Sequence, residues 1–194
     1  MKTLILLCTL KKSGLSNTET LSEFFSDYLK AHDVDCEIIK IIDYPVHTGT
    51  YSDMGEGDAW PEILTKLENS DIILFASPIW WNNHSSEMQK VIERLDHIHD
   101  SILEGKQSVM DGKVAGIIIT GDSDGAQSII ANIANFLNAI GMTLPPYCSL
   151  SVLWEGQQKG SKTSREELLK KYMAEYDVTA SKMAEQLVKT VNLQ

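Results

Sequence analysis

Short runs of consecutive apolar residues alternate along this chain with stretches of helical periodicity. The run Ile72-Ile73-Leu74-Phe75-Ala76 shows the first pattern. A strand apolar at successive positions is covered on both faces, which is the situation in a parallel sheet between helices. Strand-like runs fall at residues 3–8, 35–42, 71–77, 113–120 and, more weakly, 147–153. Helical patterns fall at residues 17–32, 60–68, 85–99, 126–140 and 164–191. This alternation predicts a doubly wound α/β sandwich, and 194 residues suit a single domain. Residues 49–58 and 155–163 form the longest loops, of the length that is usually functional or mobile. The last helix opens with Thr163 and Ser164 followed by Glu166 and Glu167, a capping arrangement with acidic residues in the first turn.

The formal net charge of -10 argues against partners that need a basic face, namely nucleic acid and anionic membrane. A small anion held by local N–H groups remains compatible with it. Cys8, Cys36 and Cys148 are odd in number and lack a C-x-x-C spacing, so neither a zinc site nor a disulfide framework is expected. A reduced, cytoplasmic protein is the simplest reading. Residues 1–8 faintly resemble a signal peptide, but Lys11 and Lys12 follow at once and no small-residue cleavage site appears; they read as a strand. No run is long enough to span a membrane.

In an open parallel sheet, ligands sit beyond the carboxyl ends of the strands. Three loops there carry unusual chemistry. The first, residues 9–18, is rich in hydroxyls and amides: Thr9, Ser13, Ser16, Asn17 and Thr18. Helix starts carry unpaired N–H groups and a partial positive charge, so they attract anions. The residues alone fit a phosphate site and a plain N-cap cluster equally well. Neither G-x-G-x-x-G nor a Walker A loop is present. The second loop is Ser77-Pro78-Ile79-Trp80-Trp81-Asn82-Asn83-His84-Ser85-Ser86. Pro78 is expected to end its strand, and Ser85 and Ser86 to cap the next helix. Adjacent tryptophans at a strand end either pack under a helix or flank a ligand. The third, Thr120-Gly121-Asp122-Ser123-Asp124-Gly125, is either an ordinary tight turn or a place where backbone approaches a ligand closely.

Other residues invite blander readings. In Asp96-His97-Ile98-His99-Asp100, the histidines lie two apart and do not share a helix face, which disfavours a metal site. His84 is expected to pack at a helix start, and Cys8 to be a buried small hydrophobe. Glu93 and Asp96 read as a solvated face or as partners of Arg94. A receiver-type regulator would want acidic residues after the first strand and an Asp ending the third, where this chain has Cys8-Thr9 and Ser77.

Together the three loops resemble the flavodoxin-like family of NAD(P)H-dependent FMN reductases and quinone reductases. The likeness runs from Leu4 to about Leu153 and rests on several motifs. These are Ser13…Ser16-Asn17-Thr18, Ser77-Pro78-Ile79-Trp80 with Ser86 and Glu93-Arg94-Leu95-Asp96, and Lys113-Val114-Ala115-Gly116 with Thr120-Gly121…Asp124-Gly125-Ala126. The stretch Asp58-Ala59-Trp60-Pro61-Glu62-Ile63 is similar to one branch. The resemblance implies a five-stranded parallel sheet of order 2-1-3-4-5, FMN as cofactor and NAD(P)H as co-substrate. It puts the FMN phosphate on Ser13, Ser16, Asn17 and Thr18, with Thr9 and Lys11 in the same loop. It puts the isoalloxazine against Pro78, Ile79, Trp80, Trp81 and Asn82, and against Thr120, Gly121, Asp122 and Gly125. The first loop lacks the arginine of many relatives and offers Lys11 and Lys12; the cysteine pair of iron–sulfur relatives is missing; residues 47–58 depart from the family pattern.

What this implies is hydride transfer from NAD(P)H through the flavin to a small-molecule acceptor: a quinone, free flavin, nitroaromatic or azo compound. The flavin carries the chemistry, and the protein positions it. An inward Asp122 or Asp124 would lower the flavin potential by like-charge repulsion. Lys11, Lys12, Lys159 and Lys162 are candidates to face a nicotinamide phosphate. A homodimer or homotetramer is implied. The alternatives are a flavodoxin-type electron carrier, against which the absence of T-x-T-G-x-T counts, and a flavin-free scaffold of the same fold.

Overall fold

The computed structural model describes residues 1–121, 124–154 and 163–194. The chain runs β1 (Lys2–Leu7), α1 (Asn17–Lys30), β2 (Asp35–Lys40), α2 (Trp60–Glu68), β3 (Ile72–Pro78), α3 (Ser86–Leu103), β4 (Val114–Gly121), α4 (Ala126–Ala139), β5 (Ser149–Leu153) and α5 (Arg165–Val191). All strand pairs are parallel, in the order β2-β1-β3-β4-β5. This is the expected doubly wound sheet.

Burial explains the pattern read from the sequence. β1, β3 and β4 lie inside the sheet and are buried almost throughout, whereas the edge strands β2 and β5 alternate. One core lies between the sheet and α1 and α5, where Phe24, Phe25, Leu168 and Leu187 meet Ile5, Leu7 and Ile118. The other lies between the sheet and α2, α3 and α4, where Trp60, Leu95 and Ile133 meet Leu6, Phe75 and Ile117. Ser85 caps α3 by accepting the Met88 N–H at 3.2 Å. Ser164 and Glu167 form a reciprocal capping box at α5.

Several boundaries differ from expectation, three of them beside the rim loops or the long helices. β2 stops at Lys40, because Ile41–Asp43 tightens into a 3₁₀ turn. α3 continues to Leu103. β3 includes Pro78, whose register partner is Thr120, and the next N–H, of Ile79, still donates to Thr120 O at 2.9 Å. Pro78 is tolerated because the position of its missing N–H faces the β1 side, where pairing has already ended with Cys8 N–H on Ala76 O.

Candidate flavin site at the carboxyl rim of the sheet

β1, β3 and β4 end side by side, so their following loops meet at one rim. Hydroxyl groups tie these loops together. Thr18, in the first turn of α1, shares a 2.6 Å hydrogen bond with Thr120 at the end of β4. Ser85 donates to Cys8 O at 2.6 Å, linking the start of α3 to the end of β1. Ser77 Oγ accepts the Ser85 N–H at 3.0 Å. Each of these serines and threonines is buried. Buried hydroxyls must be paired to avoid a desolvation cost, and paired ones hold loop ends in one arrangement.

The first loop divides its polar groups by task. Ser16 is the N-cap of α1: its hydroxyl accepts the Glu19 N–H at 3.3 Å and donates to Thr9 Oγ1 at 3.0 Å. Thr9 Oγ1 also accepts the Lys11 N–H at 3.3 Å. Lys11 Nζ donates back to Leu15 O at 2.6 Å, closing the loop on itself. Thr9, Ser16 and Thr18 thus spend their hydroxyls inside the protein. Lys12 and Ser13 are exposed, and Asn17 is half-buried. Gly14 adopts φ +79 with open space around it, leaving the backbone uncovered at the point where an anion would approach the helix end.

The Thr18–Thr120 bridge carries an expected result. Thr120→Val leaves the Thr18 hydroxyl buried without its partner and should cost about 1–3 kcal/mol. The double variant Thr18→Val/Thr120→Val should recover much of that loss. Urea unfolding of the two singles and the double gives the coupling directly.

The second loop is a tight hairpin. Trp80 N–H donates to Asn83 O at 2.7 Å and Asn83 N–H returns to Trp80 O at 2.9 Å. The two central residues, Trp81 at φ 48 and Asn82 at φ 66, are both left-handed, the sign pattern of a type I′ turn. Such φ values are uncommon for a bulky side chain. The third loop packs against this hairpin through glycine. A Cβ on Gly121 would lie 2.7 Å from Ile79 Cδ1, and one on Gly125 would lie 2.7 Å from Asn82 Oδ1. Asp124 is exposed. Asp122 of this loop, and Lys159 and Lys162, lie outside the described residues.

Side chains set aside in the sequence also find places. Cys8 is buried and its thiol is pushed well up by desolvation, with Glu87 adding to the rise. His84 faces Ser85 O at 3.1 Å and Asn132 Oδ1 at 3.3 Å, which is the helix-start packing expected. Glu93 accepts from Gln89 at 2.9 Å, and the partner of Arg94 is instead Asp58, at 2.7 Å. Sequence reasoning missed that pair. Both side chains are fully buried, and they close the long loop between β2 and α2 onto α3. The two motifs were visible, but nothing in their spacing pairs residues from two separate helix regions.

The model of the NADPH-dependent FMN reductase family matches residues 1–153. The chain belongs to this family. A Streptomyces davaonensis relative, 8-demethyl-8-aminoriboflavin-5'-phosphate synthase, is 28% identical over 166 residues, covering 80% of this chain and 64% of its own. A Mycobacterium bovis protein described as the divalent metal cation transporter MntH is 32% identical over 162 residues, which is 81% of this chain and only 23% of that protein. The chain therefore spans less than two thirds of either relative. Among solved structures, RosB with a bound 8-demethyl-8-formylriboflavin-5'-phosphate intermediate aligns with a TM-score of 0.84 at 23% identity, covering 100% of this chain and 79% of that one.

Membership in this FMN reductase family, with the flavodoxin-like sheet order β2-β1-β3-β4-β5, makes FMN the cofactor implied for this rim. The rim fits that group. It leaves Gly14 uncovered two residues before the Ser16 N-cap of α1, and Gly121 and Gly125 let the third loop close against Ile79 and Asn82 of the second. Among the described residues no helix is long and apolar enough to cross a membrane.

Proposed function

We propose that this chain moves hydride from NAD(P)H, through FMN bound at the carboxyl rim, to a small planar acceptor such as a quinone or free flavin. The observation that carries the reading is the Thr18–Thr120 hydroxyl bridge of 2.6 Å, which ties the helix end suited to a phosphate to the turn after β4. In this reading the exposed and half-buried groups of the first loop, Ser13, Asn17 and backbone N–H groups, contact the phosphate. Thr9, Lys11, Ser16 and Thr18 keep the loop in shape. Pro78, Ile79, Trp80 and Asn82 border one edge of the ring, and Thr120, Gly121, Asp122 and Gly125 the other.

Bound FMN supplies the hydride-accepting ring, and the chain supplies position and electrostatics. Charge-assisted hydrogen bonds to the phosphate contribute about 1.5–3 kcal/mol each. Lys12, Lys159 and Lys162 are proposed to favour NADPH by pairing with its extra phosphate, while Lys11 is held on Leu15 O. The assembly is proposed to be a cytoplasmic homodimer or homotetramer with no nucleic-acid or membrane partner.

Steady-state NAD(P)H oxidation with 2-methyl-1,4-naphthoquinone tests the reading. Turnover at a catalytic rate is expected. A protein that holds FMN and is reduced by NADPH only stoichiometrically and slowly would be an electron carrier instead. The likeness to an aminoriboflavin-phosphate synthase favours a second reading, in which the flavin phosphate is itself modified. Mass analysis of flavin released after turnover separates the two: an unchanged mass supports the reductase.

A further inference from the structure

Two-residue hairpins close on left-handed residues, and Asn-Gly is the pair that fills them with least strain. This chain places Trp81-Asn82 there instead. The turn is held at its base by the Trp80–Asn83 pair of hydrogen bonds and by the Asn83 side chain, which donates to Trp81 O at 3.3 Å. Asn82 lies beside Gly125, where an added Cβ would meet it. The backbone on either side of Trp81 is therefore held, yet Trp81 itself is 94% exposed, against 37% for Trp80. Folding gains nothing from an indole in a left-handed turn that buries no surface. Backbone strain concentrated at one rim residue is usually retained for what that residue does.

We infer that Trp81 is a stacking plate for the second planar aromatic molecule that enters the rim, the acceptor, and is not part of what holds FMN. The inference rests on the proposed function and deepens it. The resemblance assigns Trp81 to the flavin ring itself. A ring so far out from the fold is better placed to meet a molecule arriving from solvent. Its large apolar face, carried outward on a hydrogen-bonded turn, selects flat aromatic acceptors by offset stacking. A compact ionic acceptor gains nothing from it.

The test compares Trp81→Asn, which suits a left-handed turn, with Trp81→Phe, which keeps an aromatic face. Calorimetric titration of oxidised, FMN-loaded protein with 2-methyl-1,4-naphthoquinone, without electron donor, should show affinity about tenfold weaker in Trp81→Asn and largely kept in Trp81→Phe. The KM for the naphthoquinone should rise with it, and the KM for ferricyanide much less. FMN affinity of the apoprotein should change by less than about threefold, and the apoprotein melting temperature should rise by about 2–4 °C as strain is released. Equal shifts for naphthoquinone and ferricyanide would overturn the inference. So would a matching loss of FMN affinity, which puts the ring on the flavin, or a lower melting temperature with a change in oligomer mass, which puts it in an interface between copies. A protein that takes up no FMN at all would instead overturn the proposed function.

Discussion

Arg94→Met should destabilise the fold by about 3–5 kcal/mol, because it leaves a buried carboxylate without its cation. Arg94 donates through Nε to Tyr51 O at 3.0 Å, through Nη1 to His47 O at 2.8 Å and through Nη2 to Asp58 at 2.7 Å. Asp58 in turn accepts N–H groups from His47 at 3.1 Å, Met54 at 3.0 Å and Trp60 at 3.1 Å. The guanidinium also lies 5.5 Å from the Trp60 ring centroid. One ion pair therefore satisfies the backbone of a loop that has little regular structure of its own. Arg94→Lys should also be damaging, since an ammonium cannot reproduce the fork that reaches two carbonyls and a carboxylate. Chemical denaturation measures both.

The same pair sets an acid limit. Burial tends to raise the Asp58 pKa, but Arg94 and the three backbone N–H groups outweigh it and hold the carboxyl far below the usual range. A carboxylate whose pKa is lower when folded than when unfolded stabilises fully above the unfolded value. That stabilisation is lost as pH falls from about 4 toward the folded value. Stability should therefore decline below about pH 4, and Asp58→Asn should flatten that part of the profile while lowering stability at neutral pH.

Gly125→Ala should have the largest effect on the flavin site. Gly125 sits at φ +130, and an added Cβ would lie 2.7 Å from Asn82 Oδ1 and 3.0 Å from Asn82 Cα. The side-chain oxygen has room to rotate away, but the Cα belongs to the strained hairpin and does not. Left-handed strain and overpacking each cost about 1–3 kcal/mol. The hairpin and the β4–α4 turn must then separate, which disturbs the junction where the ring edge is proposed to lie. FMN affinity should fall by about 10- to 100-fold, while the far-ultraviolet circular dichroism of the folded variant stays that of the parent. Unchanged flavin affinity would place the ring elsewhere.

The sheet was legible in the sequence because consecutive apolar positions report burial on both faces, and β1, β3 and β4 are buried in that way. Helix starts at Ser16, Ser85 and Ser164 were legible because side-chain caps are local chemistry. The rim loops were found for the same reason: glycine, proline and hydroxyl residues mark turns wherever the chain folds. Contacts between distant segments were not legible. The Asp58–Arg94 pair spans 36 positions and the Thr18–Thr120 bridge 102, and no periodicity encodes either. The hydroxyl-rich first loop was only half legible. Its composition pointed to an anion site, but not to Thr9, Ser16 and Thr18 turning their hydroxyls inward, with Ser13 exposed and Asn17 half-buried. The left-handed Trp81 was hidden too, because tryptophan is not a residue that announces such a turn.

Anaerobic titration of the apoprotein with FMN, followed by addition of NADPH, tests the central claim most directly. The account predicts saturable uptake of one flavin per chain, quenching of flavin fluorescence, and bleaching of the flavin absorption by NADPH. A chain that stays colourless, leaves flavin fluorescence unchanged and draws no bleaching would contradict it.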